Sequence, residues 1–190
     1  MPTQTSLIAG ASRGLGLARE HLRRGWNVAA TVRGLARTPL HDLAERLAGR
    51  VEIDVVDPDQ IGSLRLRLGN GASTFSFRAV TLSNTNQTIA DVPTVDFANL
   101  MDTNALSPIR VVEAFGSLVR RTGTIAVMSS GLGSIGESRV YWETYSASKA
   151  ALNMLMKCVS ERRRWGFCKK LFVICLAARW DSCLVSRLSR

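Results

Sequence analysis

Five times along this 190-residue chain a short apolar run gives way to a segment with helical periodicity, at the spacing of βαβ units, and a sixth run follows the last helix. Residues 5–10 read as a strand entering a glycine turn. Leu15, Ala18 and Leu22 then recur at i, i+3 and i+7, with Arg19, Glu20, Arg23 and Arg24 on the opposite face. A strand at 27–32 leads to Thr38-Pro39, an N-cap and a first-turn proline, and to a helix carried by Leu40, Leu43, Ala44 and Leu47 that Gly49 ends. The cycle repeats with a strand at 51–56, the cap Asp57-Pro58, and Ile61, Leu64 and Leu68. A weaker fourth strand is expected at 79–83. Phe97, Leu100, Met101 and Asn104 begin a helix that runs past Pro108 to Val119, where Gly123 breaks the pattern. Residues 124–130 read as a fifth strand and 131–143 as a glycine- and serine-rich loop. A strong helix over 145–161 carries Leu152, Leu155, Met156 and Val159 on one side, and 171–177 is a sixth strand with the last strand of such folds expected to be missing. Strict alternation of this kind demands an α/β fold, a doubly wound parallel sheet with helices on both faces.

The net charge of +10 looks like a nucleic-acid footprint until it is located. Residues 1–161 hold 17 Lys and Arg against 14 Asp and Glu, whereas 162–190 hold eight against Asp181 alone. The basicity belongs to a short tail. We read 1–161 as the main body of the domain, and 162–190 as an atypical basic tail of the same domain that includes the sixth strand. Cysteine is skewed likewise, with Cys168, Cys175 and Cys183 in the tail and Cys158 apart. Their spacing fits no zinc site and their number no disulfide scaffold, so reduced thiols and no metal are expected. No apolar run approaches the roughly 18–20 residues of a membrane helix, and Leu7-Ile8-Ala9 is too short for a secretory signal. No membrane partner and a cytoplasmic location follow as expectations.

Gly10, Ala11, Ser12, Arg13, Gly14, Leu15 and Gly16 stand between the first strand and the first helix. In that frame Gly10 allows a tight turn, Gly14 lets backbone N–H groups approach a pyrophosphate, and Gly16 permits close packing of helix on sheet. The helix N-terminus behind them favours phosphate charge. The pattern is that of a Rossmann-like dinucleotide site. The second strand ends Thr31-Val32-Arg33, with no acidic residue for the ribose 2′-OH of NAD(H). Arg33 and Arg13 could together meet a 2′-phosphate, favouring NADP(H); the lesser alternative is that both are solvated surface arginines.

Tyr145 and Lys149 open a helix at i and i+4, on one face and about a turn apart. A free tyrosine titrates near pH 10, and a neighbouring ammonium lowers that value toward useful acid–base work. Ser129-Ser130 ends the fifth strand at the carboxyl edge of the sheet, where doubly wound folds place ligands, and could equally cap that strand. Asn104 could be an ordinary polar residue inside its helix. Taken in order, these residues resemble the short-chain dehydrogenase/reductase family. The match comprises the 10–16 turn, Asp54 in Ile53-Asp54-Val55, Asn104, Ser130 and Tyr145/Lys149. The stretches 128–136 and 145–153 look most like the small bacterial branch that includes the C-factor and sniffer-like carbonyl reductases.

The resemblance implies an NADP(H)-dependent oxidoreductase of small carbonyl or alcohol substrates. Tyr145 would give its proton to the carbonyl as hydride arrives, or do the reverse in oxidation. Lys149 would lower the tyrosine pKa and hold the nicotinamide ribose, Ser130 would hydrogen-bond the reacting oxygen, and Asn104 would anchor a water in a proton relay. Asp54 would touch the adenine, with Val55 and Asn84 beside the cofactor. Ser129 could replace Ser130, because the gap from Ser130 to Tyr145 slightly exceeds the family's commonest spacing. Family members commonly pair through the active-site helix and the one before it, which implies a homodimer or homotetramer.

The chain departs from the family pattern in two places. No Ala-Gly follows Asn84, where the family has an Asn-Asn-Ala-Gly turn. No proline occurs beyond Pro108, so the Pro-Gly and the substrate-covering segment expected after the sixth strand have no counterpart. The composition of the tail, and of the middle segment, is what a reading-frame change or premature end would produce, and translating the coding DNA in three frames tests that. An alternative function follows: a dinucleotide-binding but catalytically impaired relative. A nucleic-acid or anionic-surface binder acting through Arg162-Arg163-Arg164 and Lys169-Lys170 is disfavoured, because a basic helix end is ordinarily solvated and the aromatic residues among it are few.

Overall fold

A computed structural model describes residues 4–11, 15–32, 36–47, 88–136 and 142–162, together with the strand segments 51–55, 74–77, 170–176 and 184–187. In chain order the elements are β1 (Thr5–Ala9), α1 (Leu15–Arg23), β2 (Asn27–Val32), α2 (Pro39–Arg46), β3 (Val51–Val55), β4 (Thr74–Phe77), α3 (Thr94–Met101), α4 (Ser107–Phe115), β5 (Thr124–Ser130), α5 (Glu143–Arg162), β6 (Lys170–Leu176) and β7 (Leu184–Arg187). The sheet order is β3-β2-β1-β4-β5-β6-β7, the winding of a Rossmann-like α/β fold. The chain divides into two compact units. One comprises Met1–Arg78, Val111–Ile125 and Phe167–Lys170, the other Ala79–Arg110, Ala126–Gly166 and Leu171–Arg190.

In the first unit β1 pairs in parallel with both β2 and β4, and β2 with β3. Ile8 of β1, Val28, Ala30 and Val32 of β2, Ala18 and Leu22 of α1 and Leu40 of α2 form one buried cluster, so the alternate residues of two strands meet the apolar stripes of two helices. The other strand parity, Leu7, Ala9, Ala29 and Thr31, is buried too, as a sheet covered on both faces requires. The join from α1 to β2 is a Schellman turn. Gly25 adopts φ +82°, its N–H donates to Leu22 O at 2.9 Å, and Trp26 N–H donates to His21 O at 3.0 Å. Thr38 caps α2 as expected from Thr38-Pro39, its N–H donating to His41 Nδ1 at 3.1 Å.

In the second unit α3 passes into α4 through one wide turn, Asp102–Leu106, in which Ser107 N–H reaches Asp102 O. Pro108 explains its place. In a regular helix the Asn104 carbonyl would look to an N–H that proline lacks, and the chain widens instead. α5 buries Tyr145, Ser148, Lys149, Leu152, Met156 and Val159, a continuous stripe at i, i+3, i+4, i+7, i+11 and i+14.

Two expectations are corrected. A strand lies at Thr74–Phe77, while the expected fourth strand at 79–83 lies outside the described residues, as do Gly49 and the expected helix after Asp57-Pro58. A seventh strand exists, pairing Phe172 with Arg187 and Cys175 with Leu184 in an antiparallel ladder. Antiparallel neighbours need only a short connection, whereas a parallel return needs a dozen residues or more, and seven residues separate β6 from β7. The helix expected from 145 begins two residues earlier, at Glu143. No helix among the described residues is long and apolar enough to cross a membrane.

Candidate active site

At the carboxyl edge of the first unit the ends of three strands lie side by side, with Thr31 opposite Asp54 and Val32 opposite Val55. Gly10 takes φ +72°, a conformation that favours glycine, and its N–H donates to Thr31 Oγ1 at 3.0 Å. Thr31 thus ties the start of the glycine turn to β2, a role the sequence signalled only by a hydroxyl at a strand end. Gly16 is corrected: a Cβ there would meet nothing within 4 Å, so close packing does not require this glycine. The fully buried Ala18 lies on the face of α1 that packs with β1 and β2. Leu15 opens α1 and packs against the buried cluster. Ser12, Arg13, Gly14, Arg33 and Asn84 lie outside the described residues.

The second unit brings together Ser130, Tyr145, Lys149 and Asn104. Ser130 ends β5, close enough to Tyr145 for its hydroxyl to pull the phenol's pKa down. The same oxygen accepts from Leu132 N–H at 3.2 Å, which orients its proton away from the turn. Lys149 is 1% exposed, with Nζ 5.7 Å from the centroid of the Tyr145 ring and donating to Met128 O at 3.2 Å. Asn104 is fully buried in the wide turn, and its Nδ2 donates to Ser148 Oγ at 3.1 Å. Ser148 in turn donates to Tyr145 O at 2.7 Å. The expected lowering of the tyrosine pKa is corrected: burial pushes the Tyr145 phenol up, and the Ser130 hydroxyl pulls it only partly back.

Ser129 is engaged elsewhere, its hydroxyl donating to Asn153 Oδ1 at 2.7 Å, so Ser130 is the serine that meets the tyrosine. Three residues at this site escaped the sequence reading. Ser148 and Asn153 carried no signal beyond their places on the helix face of Tyr145 and Lys149. Trp142 stands at φ +73°, rare for a bulky side chain, and packs edge-on to Tyr145 with ring centroids 6.1 Å apart. Its carbonyl accepts from Ser146 N–H at 2.7 Å, opening α5.

A Rossmann-like sheet with a serine at the end of β5 and a Tyr-Lys pair on the following helix defines a nicotinamide-type oxidoreductase class. Residues 9–163 match the family model described as enoyl-(acyl carrier protein) reductase, and the chain belongs to the short-chain dehydrogenase/reductase family. It is 31% identical over 169 residues to an NADPH-dependent pterin aldehyde reductase of Arabidopsis thaliana, a match covering 83% of this chain and 68% of that one. A Burkholderia multivorans protein described as a short-chain alcohol dehydrogenase superposes with a TM-score of 0.85 at 44% identity, over 94% of this chain and 84% of its own. A short-chain dehydrogenase/reductase structure from the same organism, with bound NADP, gives 0.85 at 42% identity, over 94% and 80%.

Proposed function

We propose that the chain reduces a small aldehyde or ketone with NADPH, or oxidises the corresponding alcohol with NADP⁺, using Ser130, Tyr145, Lys149 and Asn104. The placement of the buried Lys149, its Nζ 5.7 Å from the Tyr145 ring, with Ser130 at the neighbouring end of β5, carries this reading. The NADP bound by one similar structure and the NADPH dependence of the similar reductase support the choice of cofactor. The chain's own residues fit such a group: Gly10 makes the turn at φ +72°, and the space over Gly16 is open to a ligand. Gly10, Ser12, Arg13, Gly14, Leu15 and Gly16 would hold the pyrophosphate end, Arg13 and Arg33 the 2′-phosphate, Asp54 and Val55 the adenine, and Asn84 would lie beside it. When bound, the cofactor supplies the hydride.

The remaining chemistry belongs to the side chains of the second unit. Tyr145 stays protonated through the neutral range, because burial holds its pKa up, and so it serves as the acid in carbonyl reduction. Ser130 fixes the direction of that proton, and the buried Lys149 ammonium holds the nicotinamide ribose and steadies the phenolate left behind. Asn104, held in the wide turn, anchors the water that returns a proton. The same reading places the protein in the cytoplasm and pairs it with a second copy through α5 and the helix before it, where Met154 and Leu106 stand exposed.

Tyr145→Phe tests the assignment. It should leave NADPH binding intact and lower turnover of an aldehyde such as benzaldehyde by roughly 10²–10⁴-fold. A variant as active as the parent would remove Tyr145 from the chemistry. The antiparallel β7, reached from β6 in seven residues, favours one competing reading, in which the chain binds the dinucleotide and turns nothing over. Saturable NADPH binding with no reduction of any carbonyl offered would select it.

A further inference from the structure

Asn153 sits one turn beyond Lys149 on α5, half-buried, and both ends of its amide are in use. Oδ1 accepts from Ser129 Oγ at 2.7 Å, and Nδ2 donates to Gly133 O at 3.2 Å. Ser129 is the penultimate residue of β5, and Gly133 closes the short 3₁₀ turn, Gly131–Gly133, that follows the strand. One side chain therefore bridges the strand end and the turn after it to a single point on the helix. Ser130 lies between the two anchored positions. The turn can come this close only because Gly133 has no side chain: a Cβ would lie 2.9 Å from Asn153 Nδ2, Lys149 C and Lys149 Cβ.

Consecutive serines thus face α5 about two turns apart, Ser129 bonded to Asn153 and Ser130 beside Tyr145. A hydrogen bond between hydroxyl and phenol tolerates only a few tenths of an ångström before it weakens. The offset between β5 and α5 must therefore be fixed by something other than such a bond. We propose that Asn153 is a positioning residue for proton transfer, its amide clamping β5 and the 131–133 turn to α5 so that the Ser130 hydroxyl meets the Tyr145 phenol. The proposal rests on the reading of Ser130 and Tyr145 as the proton-transfer pair.

The test uses a readout independent of turnover. The chain has two tyrosines, Tyr141 and Tyr145, so subtracting the tyrosinate absorbance titration of Tyr145→Phe from that of the full chain isolates Tyr145. Releasing the clamp with Asn153→Ala should loosen the placement of the Ser130 hydroxyl that pulls the phenol down, and the Tyr145 midpoint should move to higher pH. Alcohol oxidation, which needs the phenolate, should shift its pH profile the same way, with kcat down roughly 10–100-fold and NADPH affinity within about twofold of the parent. Ser129→Ala removes one anchor only and should move both readouts less, in the same direction.

An unchanged Tyr145 midpoint in a folded Asn153→Ala variant overturns the proposal, whatever happens to kcat. So does a variant pair in which Ser129→Ala stays folded and moves neither readout. A shifted midpoint in a chain that reduces no carbonyl would instead support the clamp and sink the functional reading it rests on.

Discussion

At Gly133 there is no room for a side chain, since the nearest backbone atom to a built Cβ, the Lys149 carbonyl carbon, is 2.9 Å away. At Gly131, two residues earlier in the same 3₁₀ turn, a Cβ would meet nothing within 4 Å. The pair separates packing from backbone freedom. Gly133→Ala should cost about 1–3 kcal/mol in urea denaturation, because helix or turn must move to admit the methyl group. Gly131→Ala should stay within about 0.5 kcal/mol of the parent. Equal effects at both would show that close approach is not what holds glycine at 133. Residues such as Tyr145 and Lys149 were legible in the sequence because i, i+4 on a buried stripe is a local pattern. Asn153 and Gly133 were not, because their work is done against each other across 20 residues of chain, and no spacing rule registers that. The direction of the tyrosine pKa was not legible for a similar reason: the sequence shows the neighbouring lysine but not the burial that pushes the phenol up.

Elements were legible where burial imposes a period and lost where pairing decides. β2 and β5 were read to the residue from their apolar runs. β4, the alternating Thr74–Phe77, was passed over for the apolar run Ala79-Val80-Thr81-Leu82, which lies outside the described residues. β4 earns its place by register against β1, with Ser6 opposite Thr74 and Ala9 opposite Phe77, which no local propensity reports. The docking of α1 supplies a prediction at this scale. His21 Nδ1 lies 2.7 Å from the Oγ of the fully buried Ser6 on β1, and the His21 ring stacks on Trp26 with centroids 4.8 Å apart. Burial holds the His21 pKa down, the Arg24 cation adds to this, and Glu20 opposes it. A histidine depressed in the folded state contributes stability that is present above its ordinary value of about 6.5 and is lost as pH falls through the lower folded value. The urea midpoint should therefore drop between pH 7.5 and pH 5 more steeply in the parent than in His21→Gln. Parallel declines in the two chains would remove His21 as the source.

For the whole molecule, a doubly wound parallel sheet was foreseeable from alternation and handedness, whereas the order β3-β2-β1-β4-β5-β6 and the antiparallel β7 were not, the latter because it depends on a connection too short for the usual crossover. Net charge misleads at this scale until it is divided: the +10 sits mostly beyond residue 161, while the expected cofactor preference depends on two arginines, Arg13 and Arg33, near the glycine turn in sequence. Ligand linkage reads that preference without any turnover. A ligand that binds only the folded chain at 100 times its Kd stabilises it by about 2.7 kcal/mol. In a chain of this size each kcal/mol moves Tm by about 2–4 °C, so NADPH at that level should raise Tm by roughly 5–10 °C. NADH at the same concentration should raise it less, and the gap should close in the double variant Arg13→Ala/Arg33→Ala. Equal shifts from both nucleotides would strip the arginines of their 2′-phosphate role while keeping the glycine turn. No shift from either, in a chain that still melts cooperatively, would take the dinucleotide away from that turn altogether.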